Sequence, residues 1–131
     1  MGLYGFQNQF VPLVLNGSKI QTIRAQRKRL DKPGDTMHLY RGLRTKNTAL
    51  LLRAPCTNVE PILIDTAGVQ VNGVLLDSYE RDLLAWRDGF RSKSGRRLGS
   101  FSLMMEFWRK NHDLPFAGHI YHWDFGRALF K

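Results

Sequence analysis

Gly17-Ser18-Lys19-Ile20-Gln21-Thr22-Ile23-Arg24 is the stretch on which the reading of this chain turns, because a short amphipathic segment ends there and a polar, cationic strand begins. Upstream, Phe10, Leu13 and Val14 fall at helical spacing after Gln9, and Pro12 fits only the first turn of such a helix. Gly17, directly after Asn16, suits the left-handed position that closes a helix. Ile20 to Ala25 then alternates apolar with polar, the pattern of a half-buried strand. Thr22 and Arg24 should share one face, with Ile23 and Ala25 turned into a core. Lys19, Thr22 and Arg24 are thus expected to project together from a helix-to-strand junction, which makes them a candidate site; the plainer alternative is an exposed loop with a solvated lysine and arginine.

Working outward, Gln26-Arg27-Lys28-Arg29-Leu30-Asp31-Lys32 continues the charge from Arg24, so Arg24, Arg27, Lys28 and Arg29 are candidate phosphate contacts, extended by Arg41, Arg44 and Lys46. Pro33-Gly34-Asp35 reads as a turn, and Met37, Leu39 and Tyr40 as a short strand ending near Arg41-Gly42. Ala49 to Ala54 is apolar and short, a buried strand or one strand-like half of a longer one, which Pro55 should limit to an edge or a bulge. Ile62 to Asp65 and Val69 to Val71 continue the β pattern, and Asn72-Gly73 supplies the positive backbone angles of a tight hairpin.

The last third of the chain is helical before its closing strand. Asp77-Ser78-Tyr79-Glu80 has the spacing of a capping box, and Tyr79, Leu83, Trp86 and Phe90 form an apolar stripe expected to pack on the sheet. Lys93 to Gly99 is a glycine- and serine-rich cationic loop, expected to be mobile and to order on a polyanion. Ser100 should cap a further helix whose Phe101, Met104, Met105 and Trp108 share a face, and His119 to Phe125 should form the final strand.

Length and composition bound what such elements can build. One domain spanning 1-131 is the simplest reading of 131 residues, which are enough for a hydrophobic core without staples. Hydrophobic residues at 43% argue against general disorder, no apolar run is long enough to cross a bilayer, and the N-terminus lacks a secretory pattern. Cys56, the single cysteine, excludes an internal disulfide and points to a reducing, cytoplasmic setting and a buried, inert thiol. The net charge of +9 favours a polyanionic partner, most simply nucleic acid, with no membrane role.

Taken in order, Gly17-x-Lys19-x-x-Thr22-Ile23-Arg24, Gly34-Asp35, Leu84 to Phe90 with an acid before Gly-Phe, and Phe116 to Phe125 resemble the ASCH-domain family. The first of these is similar to its G-x-K-x-x-T-x-R motif, and the resemblance covers most of the chain. It implies a PUA-like fold, an α+β mixed β-barrel with flanking helices, and an RNA or nucleoside ligand. One small bacterial branch hydrolyses the acetyl amide of N4-acetylcytidine with Lys, Thr and Glu; by motif position these fall on Lys19, Thr22 and Asp88. Asp88 is a departure, one methylene shorter than the family glutamate, and Ile20 stands where many relatives have Thr. Fold transfers more firmly than function within such a family.

For amide hydrolysis Thr22 would be the nucleophile, and a hydroxyl needs a neighbouring base near neutral pH. Lys19 could be that base only when neutral, and making an ordinary lysine half-neutral near pH 7 costs roughly 4 kcal/mol. Alternatively a charged Lys19 stabilises the oxyanion while Asp88 orients it or a water. Two other readings remain open: a ribonuclease in which Lys19 and Arg24 neutralise phosphate, and a non-catalytic RNA-binding module with Tyr40, Tyr121 and Trp123 as stacking candidates. No cofactor or metal is expected. On a strand, His119 and His122 would point to opposite faces, a poor ligand pair.

Overall fold

The order of elements opens on a strand and has one long strand in the middle. The structure, a computed structural model, describes residues 2–130 and is mixed α+β. Its strands are β1 (Gly2–Phe6), β2 (Gln21–Ala25), β3 (Thr36–Arg41), β4 (Ala49–Asp65), β5 (Gly68–Val71), β6 (Val74–Leu75) and β7 (Phe116–Trp123). Its helices are α1 (Val11–Leu15), α2 (Ser78–Arg87) and α3 (Ser100–Asn111), and a 3-10 turn follows at Phe125–Arg127. The strand order is β1-β3-β4-β5-β6, with β7 pairing both β2 and β4. Among the described residues no helix is long and apolar enough to cross a membrane.

The chain forms two compact units: one holds the residues up to Thr22, Arg27–Val59 and those from Tyr121 on, the other Ile23–Gln26 and Glu60–Ile120. In the first unit β1 pairs in parallel with β3, Gly2 opposite Met37 and Phe6 opposite Arg41. β3 in turn runs antiparallel to β4, with a register shift between Leu39 and Tyr40. The inward faces of these strands bury Tyr4, Met37, Leu39 and Leu52, joined by Val14, Tyr121 and Trp123. Each such side chain contributes roughly 1.5–3 kcal/mol of transfer free energy. Pro12 sits in the first turn of α1 as expected, and Gly17 has φ 80°, where an added Cβ would meet the Phe125 ring at 2.7 Å.

Pro55 does not end its strand: Ala49 to Ala54 is one part of a longer one, and the proline takes a local edge position within it. β4 runs unbroken for 17 residues through both Pro55 and Pro61. The reason lies in its partners: the Pro55 carbonyl accepts from Asp124 N at 3.1 Å, just past the end of β7, so the missing donor falls where the partner strand has already stopped. The Cys56 N–H goes to Asp35 O at 2.7 Å and keeps the ladder going on the other side.

In the second unit β4 and β5 form a hairpin, Ile62 opposite Val71, and β5 turns into β6 through Asn72 and Gly73 at φ 53° and 77°. The capping box of α2 is complete: Asp77 accepts from Glu80 N, and Glu80 accepts from Asp77 N, at 2.8 and 2.9 Å. The expected stripe is not what α2 buries. Tyr79 is 66% exposed and the positions buried within α2 are Leu84 and Ala85, while Phe90, the last member of the stripe, is buried just beyond the helix with its ring 5.3 Å from that of Phe107 in α3. Ser100 is not a cap either; it is the first helical residue of α3 and buried, the N-cap is Gly99 at φ 89°, and the Phe101 N–H is taken by Asp82 Oδ1 of α2 at 2.9 Å. β7 starts earlier than its expected span and stops at Trp123, since Asp124 caps the 3-10 turn through Gly126 N.

Candidate functional site

The junction after α1 breaks the usual rule for which side chains turn inward. Lys19 N donates to Leu13 O at 3.0 Å, tying the lysine backbone to α1, and Trp123 N donates to Ile20 O at 3.1 Å. With the backbone held at both residues, Ile20 points out at 45% exposure and Lys19 points in at 2%. The Lys19 Nζ lies 5.7 Å from the Phe6 ring centroid and 5.2 Å from that of Phe10. An apolar residue outside and an ammonium stem inside is the reverse of the pattern that burial of apolar area rewards.

Thr22 is also buried, at 4%, and so is Gln21 beside it. Both faces of the first half of β2 are covered, so the alternation expected from Ile20 to Ala25 fails. Gln21, Thr22 and Ile23 are all buried and Ala25 is exposed, opposite to its expected inward place. In the second unit Arg24 is half-buried and Asp88 is 5% exposed, the latter following α2 just before Gly89. Lys19 and Thr22 thus fall in the first unit, Arg24 and Asp88 in the second.

The candidate phosphate contacts divide. Lys28, Arg29 and Arg41 are exposed, as a binding surface requires. Arg27 is already committed: its guanidinium stands 4.2 Å from the Tyr4 ring centroid and 5.6 Å from that of Tyr121, and Nη2 donates to Leu3 O at 3.1 Å. Beneath it the Tyr4 hydroxyl donates to Asp31 Oδ2 at 2.5 Å. Burial, and next the Asp31 hydrogen bond, push the Tyr4 phenol well above its ordinary value.

Asp31, 5% exposed, is the buried acid that the sequence reading passed over; its only signal was being the lone acid in a basic run. Cys56 is buried and unpaired, with its thiol pushed up by burial, in keeping with an inert role. Of the stacking candidates, Tyr121 and Trp123 are buried to 0% and 1% and belong to the core, while Tyr40 is half-buried. No group of three metal-ligating side chains occurs among the described residues. A separate groove of about 340 Å³ in the first unit is lined by Arg53, Pro55, Arg127 and Leu129, with none of the motif residues.

No family model, no curated protein and no solved structure matches the chain.

Proposed function

We propose that the chain is an ASCH-type, PUA-like barrel protein that binds RNA or a modified nucleoside and hydrolyses an acylated nucleoside such as N4-acetylcytidine. The observation that carries this reading is the burial of Lys19 to 2% together with Thr22 at 4%. Taking a lysine out of water costs several kcal/mol unless its charge is compensated or absent, so a chain that keeps one inside while turning an isoleucine out has a use for it. Asp88 has the third role by motif position, and its own 5% exposure is the kind of burial that role needs.

In the proposed reaction the Thr22 oxygen attacks the acetyl carbonyl and gives up its proton. The tetrahedral intermediate collapses, the C–N bond breaks, and the cytosine amine leaves with a proton. Water then hydrolyses the acyl-threonine to acetate and restores the hydroxyl. Lys19 serves as neutral base or as ammonium beside the oxyanion. Burial favours the first, and the faces of Phe6 and Phe10 favour the second. A second reading, a non-catalytic RNA-binding module, is favoured by the exposure of Lys28, Arg29 and Arg41.

The test is to incubate the protein with N4-acetylcytidine and with single-stranded RNA and follow both products. Cytidine and acetate should form, and their formation should stop in Lys19→Ala and Thr22→Ala. Unchanged substrates with retained, salt-sensitive RNA binding would leave the non-catalytic module, and RNA fragments without deacetylation would make the protein a ribonuclease. A wild-type rate in Asp88→Asn would remove Asp88 from the site.

A further inference from the structure

The second unit holds two arginines against a single indole. Trp86 is the penultimate residue of α2; Gly89, at φ 106°, then turns the chain back. The reversal brings Arg91 onto the helix end it has just left. Arg91 Nε donates to Trp86 O at 3.2 Å, and the guanidinium lies 3.8 Å from the Trp86 ring centroid. Six residues later the Arg97 guanidinium reaches the same ring at 4.6 Å. Arg97 is exposed and has no ion pair among the described residues.

One ring attracts one guanidinium by roughly 0.5–2 kcal/mol, but two on the same ring also repel each other. The repulsion is felt at Arg91, whose guanidinium is pushed below its ordinary value first by burial and then by the charge of Arg97. Lys93 and Arg96 lie in the same stretch, so residues 91–97 carry four cations and no acid. An anion seated on the pair is attracted by both guanidiniums and offsets their mutual repulsion. The planar forks, held flat by the indole and, for Arg91, by the Trp86 carbonyl, lose little freedom on meeting a phosphate.

We propose that Arg91 and Arg97, held on Trp86, form a phosphate-binding site that takes the phosphodiester backbone of single-stranded RNA. The choice of RNA rests on the function proposed above, while the phosphate chemistry rests on the cluster itself. Four cations in seven residues exceed what one free phosphate neutralises, which favours a polymer. The indole face is occupied by guanidinium, so the site reads backbone and not base.

The full chain is titrated with a labelled oligouridylate across a series of salt concentrations, and inorganic phosphate is run as competitor. Each lost phosphate contact should flatten the log-affinity against log-salt slope by about 0.7 for a single strand. Arg97→Gln should therefore weaken binding at low salt and lose about that much slope, Arg91→Gln/Arg97→Gln about twice as much, and Arg97→Lys should keep most of it. Trp108 and Trp123 are buried at 2% and 1%, so the RNA-induced change in tryptophan emission should come from Trp86 and vanish in Trp86→Phe.

An unchanged slope and affinity in a folded Arg97→Gln, checked by thermal melting, would overturn the site. So would inorganic phosphate displacing the oligonucleotide at the oligonucleotide's own concentration, which would make the ligand a free anion. Wild-type turnover of N4-acetylcytidine is measured in parallel. A missing turnover with the slope changes intact would remove the proposed hydrolysis and leave this site standing.

Discussion

In the first unit Lys19 is 2% exposed with its Nζ 5.2 Å from the Phe10 ring, whereas in the second Arg97 is exposed and lies 4.6 Å from the ring of Trp86. The two contacts are alike in kind, a cation against an aromatic ring, and differ in solvent. A buried ammonium has lost its hydration, so its charge is a reactive property that proton transfer can alter and salt hardly screens. An exposed guanidinium keeps its charge at all working pH values and acts on whatever polyanion approaches, with salt as its direct competitor. On the proposed reading, cationic residues on one short chain divide into those suited to chemistry and those suited to attraction. Arg27, over Tyr4 and bonded to Leu3 O, belongs to neither and serves the packing.

Several substitutions would break or sharpen this division. The largest effect is expected at Thr22: removing the proposed nucleophile by Thr22→Ala should lower kcat for N4-acetylcytidine on the order of 10⁶-fold, because the residual rate comes from binding and oxyanion stabilisation alone. A smaller change in steady-state kinetics would take the hydroxyl out of the covalent step.

Next is the packing arginine's support. Asp31→Ala leaves the fully buried Tyr4 hydroxyl without its 2.5 Å acceptor and should cost about 1–3 kcal/mol in urea denaturation. Stability within error of wild type would mean that the Tyr4 hydroxyl and Arg27 are held by something other than this carboxylate.

A pH effect of smaller size belongs to His112. Its ring lies 4.6 Å from Trp108 and 5.0 Å from Phe116, and burial, then the charge of Arg24, hold its imidazole below the ordinary histidine value. The folded state therefore binds this proton less readily than the unfolded state does. Its contribution to stability is complete above about pH 6.5 and is lost as pH falls toward the folded value. Thermal melts between neutral and mildly acid pH should show that loss, and His112→Phe should flatten it. A profile of the same slope in the variant would assign the acid sensitivity to other groups.

The smallest effect is expected at Ser100, whose hydroxyl is buried with no hydrogen-bond partner among the described residues. Ser100→Ala should leave stability unchanged or raise it by about 0.5 kcal/mol, since it removes an unsatisfied group and favours the helix. A loss beyond about 1 kcal/mol would show that the hydroxyl is satisfied in solution.

What was legible in the sequence was local. The Asp77 and Glu80 capping box, the Asn72-Gly73 hairpin and the Gly17 stop all depend on contacts within a few residues, and each formed where its chemistry placed it. What depended on a distant partner was not legible. Tyr79 belongs to an apolar stripe in sequence, yet it lies 66% exposed while α2 buries Leu84 and Ala85. Pro55 pointed to an edge or a bulge, but which partner leaves that edge open was not legible, because nothing near it says that β7 has ended by Asp124. Asp31 reads as one acid in a basic loop, and its hydrogen bond from the distant Tyr4 hydroxyl cannot be seen from the residues around it. At the motif, the sequence pointed to Lys19 and Thr22, but the inward turn of Lys19 against an outward Ile20 comes from α1 and β7 holding the backbone.

The most direct test of the division is the rate of N4-acetylcytidine deacetylation by wild type and Lys19→Ala, each at low and at high salt. A rate that is nearly independent of salt and lost by about 100-fold or more without the lysine is the predicted result. No turnover by wild type, or a Lys19→Ala rate equal to it, would contradict the assignment of the buried lysine to chemistry.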